Sequence, residues 1–137
     1  LPNVLSPFEA QFLASGVGYR KFDERPIAYV VDEIRKFAPV SLKSPSYCRV
    51  EEKKEGHPWH NDTGSASHMT WCGYSASVLL TKKFDGGGFY FKDKPDTPVF
   101  HYCDCLLYSS GKGNEHCVAS NSGGRKVLIM FFQALNV

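Results

Sequence analysis

From about residue 45 onward the chain is a succession of short runs rich in Val, Tyr, Phe, Leu and Ser. Each is broken by Gly or Pro before it reaches helical length. Runs of that kind read as antiparallel strands and their turns, here near 47–52, 74–81, 88–92, 97–102, 104–109, 115–119 and 125–133. Short strands packed this densely must bury their apolar faces against each other. A two-sheet sandwich, jelly roll or small barrel meets that requirement.

The first forty residues have a different texture. Ser6-Pro7-Phe8-Glu9 is a helix start: a serine cap, proline at the first helical position, and a glutamate three residues after the cap. That helix should end near Gly16. A second begins near Pro26, with Ile27, Val30, Val31, Ile34 and Phe37 along one face, and Pro39 stops it. The expected layout is one domain over 1–137: helices within about 6–38 and a β domain over about 45–135.

Composition removes several functions. Lys+Arg 16 against Asp+Glu 14 leaves a formal charge of +2, too balanced for a chain that works by neutralising phosphates, so nucleic acid is disfavoured as a partner. No apolar stretch approaches the roughly 20 residues of a membrane span, and the N-terminal segment has no leader pattern, so no membrane partner is expected. Five cysteines, Cys48, Cys72, Cys103, Cys105 and Cys117, form no even disulfide framework and point to reduced thiols in a cytoplasmic setting. Cys103 and Cys105, two apart in an expected strand, would share a face. That suits a metal or thiol pair, although small buried hydrophobes are the plainer account.

The segment that carries chemistry is His57-Pro58-Trp59-His60-Asn61-Asp62, set against Asn114-Glu115-His116-Cys117-Val118. Residues two apart in an extended chain project to one face, so His60 and Asp62 can reach a common point. His116 from a distant strand completes two imidazoles and one carboxylate. This set binds non-haem Fe(II) on one octahedral face and leaves the opposite positions open, as oxygen activation requires. Ser120-Asn121-Ser122-Gly123-Gly124 is a strong turn composition, and a hairpin about Asn121 would bring residue 125 or 126 opposite 116. Arg125 is the favoured anchor for a carboxylate beside the metal, since its planar fork captures an acid in bidentate fashion; Lys126 is the alternative.

His60-x-Asp62, His116 and then Arg125 within Gly-Gly-Arg-Lys-Val-Leu-Ile-Met-Phe-Phe resemble the Fe(II)/2-oxoglutarate dioxygenases, specifically the prolyl 4-hydroxylase-like group. Leu5-Ser6-Pro7 is similar to that group's opening helix. Phe84-Asp85-Gly86-Gly87-Gly88-Phe89-Tyr90-Phe91 is similar to its Gly-Gly turn into a strand, and Asp104-Cys105-Leu106-Leu107-Tyr108 to the strand before the distal histidine. The resemblance implies a mainly β fold, a distorted double-stranded β-helix (jelly roll) with N-terminal supporting helices. It implies Fe(II) held by His60, Asp62 and His116, 2-oxoglutarate chelating the metal while Arg125 holds its far carboxylate, O2 as oxidant and ascorbate as reductant. The activity implied is hydroxylation of a prolyl residue in a peptide or protein substrate, coupled to decarboxylation of 2-oxoglutarate to succinate. The family's two pocket tyrosines align with Val50 and Leu79, so hydroxyls for the co-substrate are expected from Tyr47, Ser75, Ser77 or Tyr74.

Other readings compete. A small-molecule 2-oxoglutarate oxygenase, or a non-catalytic jelly-roll binding module, uses the same fold. A nucleic-acid demethylase of the AlkB-like type needs a second arginine six residues after the anchor, where this chain has Phe131. A cysteine hydrolase lacks a spacing that selects a dyad, and closed zinc sites favour a fourth ligand and cysteine. His57, His68 and His101 are read as ordinary core or surface histidines, and Trp59 as either an entrance residue or simple packing. Gly86-Gly87-Gly88 is read as a hairpin bend rather than a phosphate loop. Lys82-Lys83 and the charged run 51–55 are read as solvated loops.

Overall fold

A computed structural model of the chain describes residues 1–62 and 72–135. Helix α1 spans Pro7–Ala14, and its capping box is formed: Ser6 Oγ accepts from the Glu9 N–H, and the Glu9 carboxylate accepts from the Ser6 N–H. Helix α2 spans Arg25–Phe37 and buries Ile27, Val30, Val31 and Ile34. Phe37, expected on that face, is 69% exposed, because the helix ends there and its last turn runs past the edge of the core.

Among the described residues, eight strands follow or intervene: β1 Gly18–Tyr19, β2 Tyr47–Glu52, β3 His57–His60, β4 Tyr74–Leu79, β5 Phe89–Phe91, β6 Cys105–Ser109, β7 His116–Val118 and β8 Lys126–Phe132. They form two antiparallel sheets, one in the order β1-β2-β8-β4-β6 and the other β3-β7-β5. This is the jelly roll that the family resemblance implies, one of the architectures the strand pattern left open. Among the described residues, no helix is long and apolar enough to cross a membrane.

Alternation divides the larger sheet. Cys48, Val50, Ala76, Val78, Leu128, Met130 and Phe132 turn toward the helices and close the main core with Leu13, Ile27, Val30 and Ile34. The odd-numbered neighbours Tyr47, Glu51, Ser77, Val127, Ile129 and Phe131 turn the other way, toward the smaller sheet, and line a cavity between the two layers. Phe89, Tyr108 and Val118 form a second apolar cluster there.

Several expectations are corrected. Residues 97–102 are not a strand; only an isolated bridge joins Tyr102 to Leu79, and Phe100 and Cys103 take positive φ values of 141° and 68° that no strand accommodates. Cys103 therefore lies outside β6 and does not share a strand face with Cys105. Neither glycine-rich turn makes a hairpin. Residues 86–88 carry the chain from β4 in the larger sheet to β5 in the smaller, and 120–124 carry it from β7 back to β8. Pairing about Asn121 is replaced by a crossover in which its side-chain amide donates to the Lys53 carbonyl and its Oδ1 accepts from the Gly123 N–H. The run at 51–55 is not all solvated loop, since Glu51 and Glu52 belong to β2 and Glu51 is half-buried. His68 lies outside the described residues.

Candidate metal centre

His60 ends β3 and pairs directly with His116, which opens β7. The ladder between these strands takes three steps from His57 to His60 against two from Val118 to His116, so β3 carries one extra residue. The bulge changes the strand's parity, and His57 and His60, three apart, both line the cavity. Trp59 is 40% exposed. Asp62 follows β3 rather than belonging to it, and a bend brings it back toward the same point.

The ligand-type atoms of His60, Asp62 and His116 all lie within 4.8 Å of one another. Asp62 Oδ1 stands 3.2 Å from His60 Nε2 and 3.4 Å from His116 Nε2. Donors about 2.1 Å from a first-row metal at right angles to each other lie roughly 3.0 Å apart, so a small inward adjustment suits one octahedral face. Each imidazole is already turned for this. His60 Nδ1 lies 2.7 Å from the Pro58 carbonyl and His116 Nδ1 2.8 Å from the Asn114 carbonyl. A carbonyl only accepts, so both Nδ1 atoms carry hydrogen and both Nε2 atoms face the carboxylate. Residues of this kind and placement fit a divalent metal.

Asp62 and His116 are 9% and 3% exposed. Burial alone would push the Asp62 carboxyl up, but hydrogen bonds from His116 and His60 hold it well below the usual carboxylate range. The same contact with Asp62 raises His60. A centre that stabilises an anion against two nitrogens in this way is electrostatically prepared for a cation.

The cavity measures about 150 Å³, smaller than the roughly 300–1,000 Å³ typical of pockets for drug-sized ligands, so it suits a compact molecule. Arg125 lies in its wall, 7% exposed, and its Nε has no hydrogen-bond partner among the described residues. Burial lowers its pKa to about 10, so the guanidinium is still charged near neutrality. A buried cation with an unsatisfied donor is suited to receive an acid. The neighbouring Lys126 projects to the opposite face, where its Nζ donates to the Ala14 carbonyl at the end of α1. Space for Arg125 comes from Gly87, whose φ is +71°; a Cβ there would stand 2.6 Å from Arg125 Cδ and 3.0 Å from Phe84 Cε2.

The expected hydroxyl donors separate. Tyr47 and Ser77 line the cavity. Ser75 is fully buried behind it, with its Oγ 2.8 Å from Ser110 Oγ, and Tyr74 turns to the helix side and packs on the main core. Val50 and Leu79 are core residues. Of the cavity residues outside the site set expected from sequence, His57, Phe89 and Tyr108 touch its polar groups. His57 is bonded to Glu51 at 2.8 Å, which holds the Glu51 carboxyl below its ordinary value. Phe89 stacks on His116 with ring centroids 4.9 Å apart. Tyr108 donates its hydroxyl to Asp62 Oδ2 at 2.8 Å. Its parity in β6 was legible, but the partner was not.

No protein-family profile matches the chain, and no curated protein matches it in sequence. Solved structures do match it. A viral collagen prolyl hydroxylase from Paramecium bursaria chlorella virus-1, solved with 2OG, superimposes with a TM-score of 0.75 at 13% identity, covering 99% of this chain and 94% of that one. A prolyl hydroxylase from Trichoplax adhaerens, in complex with a peptide fragment of the hypoxia inducible factor oxygen degradation domain, gives 0.62 at 18% identity over 86% and 62%. An oxidoreductase of the 2OG-Fe(II) oxygenase family from Burkholderia pseudomallei gives 0.58 at 20% identity over 84% of this chain; the chain spans 55% of that protein's length. The chain therefore has the fold of the 2OG-Fe(II) oxygenases and prolyl hydroxylases.

Proposed function

We propose that the chain is an Fe(II)- and 2-oxoglutarate-dependent oxygenase that hydroxylates a prolyl residue in a peptide or protein. The observation that carries the reading is the pairing, in one small cavity, of a two-histidine, one-carboxylate cluster with a buried arginine whose Nε has no partner among the described residues. Either feature alone is compatible with several chemistries; together they match a chelating dicarboxylate with one end at a metal and the other at a guanidinium. The fold shared with prolyl hydroxylases, one of them bound to a peptide, supports the choice of substrate. The thiols of Cys48, Cys103, Cys105 and Cys117 support a reducing, cytoplasmic setting.

In this reading His60 Nε2, Asp62 Oδ1 and His116 Nε2 hold Fe(II), and Arg125, with hydroxyls from Tyr47 and Ser77, holds the far carboxylate of 2-oxoglutarate. Bound Fe(II), with 2-oxoglutarate and O2, supplies the oxidising power for C–H hydroxylation, with succinate and carbon dioxide as co-products and ascorbate as a reductant that keeps the metal ferrous. The protein's part is ligation, orientation and exclusion of water. Val127, Ile129, Phe131 and Phe89 line the cavity with apolar surface, which strengthens the pull of Arg125 on an acid.

The test is incubation of the purified chain with Fe(II), 2-oxoglutarate, ascorbate and a panel of proline-containing peptides, read by mass spectrometry for addition of one oxygen and by succinate release. Succinate without a modified peptide would redirect the search to small-molecule substrates. No succinate, with metal bound, would favour a binding module.

A further inference from the structure

Asp62 presents its two oxygens to different partners. Oδ1 faces the imidazoles of His60 and His116, whereas Oδ2 accepts the Tyr108 hydroxyl at 2.8 Å. Tyr108 Oη also lies 3.3 Å from His116 Nε2. A phenol has one proton, so it serves one acceptor at a time, and a metal on His116 Nε2 would occupy that lone pair and leave the proton to Asp62. The ring is held on several sides, edge-on to Phe91 at 5.4 Å and to His116 at 5.0 Å, and 5.8 Å from Phe89. On the opposing strand, Ser75 pairs with Tyr108 in register.

We propose that Tyr108 is a positioning residue of the metal centre: by engaging Asp62 Oδ2 it makes Asp62 a one-oxygen ligand and keeps a coordination position free. The proposal rests on the metal-centre reading above. Its physical content is that an Asp62 oxygen released from the Tyr108 hydroxyl can turn to the metal, so that the carboxylate chelates through both oxygens, even though the Ser75 hydroxyl still bonds Asp62. Chelation here would take up a position that a two-point co-substrate and oxygen need. A tyrosine on β6 whose oxygen reaches the carboxylate behind the metal removes that option without ligating the metal itself.

The test uses Co(II) as a spectroscopic stand-in on the full chain, wild type and Tyr108→Phe, with far-UV circular dichroism to establish folding. Tyr108→Phe is expected to bind Co(II) about 10- to 100-fold more weakly. Infrared difference spectra on metal addition should show widely split carboxylate stretches in the wild type, the mark of one-oxygen ligation, and a narrowed splitting in the variant. Phe91→Leu, which alters packing on the ring but not the hydroxyl, should keep the wide splitting. Equal affinity and equal splitting in Tyr108→Phe would overturn the proposal and leave the metal centre intact. A visible phenolate-to-metal band on the wild-type Fe(III) form, lost in Tyr108→Phe, would also overturn it by making Tyr108 a ligand. Should Tyr108→Phe fail to fold, the wild-type splitting decides alone, a narrow one counting against the proposal. Absence of Co(II) binding by the wild type would end both the proposal and the reading beneath it.

Discussion

His60 and His116 are direct cross-strand partners, with ring centroids 4.4 Å apart, although they lie in different parts of the sequence. The pairing of β3 with β7 therefore brings together two of the three proposed metal ligands, and Asp62 joins them from just beyond the strand.

Asp62 is buried, not the exposed carboxylate that a polar strand end would suggest, so removing it outright would take from the Tyr108 hydroxyl its acceptor at 2.8 Å, at a cost of roughly 1–3 kcal/mol. Asp62→Asn keeps the shape and removes the charge. We expect a folded variant with no Fe(II)-dependent succinate production and strongly weakened metal binding, measured by anaerobic titration. Unchanged turnover would refute the ligand set.

Arg125 and Lys126 should separate cleanly. A charge-assisted hydrogen bond is worth about 1.5–3 kcal/mol, so Arg125→Ala should weaken 2-oxoglutarate binding by at least about tenfold while metal affinity alone changes little. Arg125→Lys should lose less, because the charge stays although the fork is gone. Lys126→Ala should leave co-substrate affinity intact and cost about 0.5–1.5 kcal/mol of stability through its lost bond to the Ala14 carbonyl, read as a shift in the denaturant midpoint.

Gly87→Ala tests the anchor without replacing it. The added Cβ would overlap Arg125 Cδ and force a residue with φ +71° into a region that alanine disfavours by about 1 kcal/mol or more. We expect weaker 2-oxoglutarate binding with metal affinity preserved, a pattern that general destabilisation does not produce.

The thiols offer a check on the core. Burial pushes Cys48 up to about 11 and Cys105 up to about 12, so at pH 8 both carry very little thiolate. Burial also raises Cys103, Cys72 and Cys117, but Cys103 and Cys72 are buried whereas Cys117 is half-buried. Brief treatment of the native chain with iodoacetamide should label Cys117 first, and peptide mass spectrometry reads the order. Early labelling of Cys48 would mean that the contact between helices and sheet opens readily.

The sequence by itself determined the helix starts, most of the strands and their two faces, because caps, prolines and period-two alternation are local rules. It also supplied two histidines and an aspartate at spacings that suit a metal, and the alternation that sends Arg125, just before β8, and Lys126, its first residue, to opposite sides. Tertiary structure decided the rest, because a strand's partner is chosen by which distant apolar faces bury together. The crossover at 120–124 brings Arg125 to the cavity from the other sheet instead of from a hairpin. An extra residue in β3 turns His57 and His60 to the same side, and β6 lies where the Tyr108 hydroxyl meets Asp62. These depend on long-range register, which no local pattern of residues encodes.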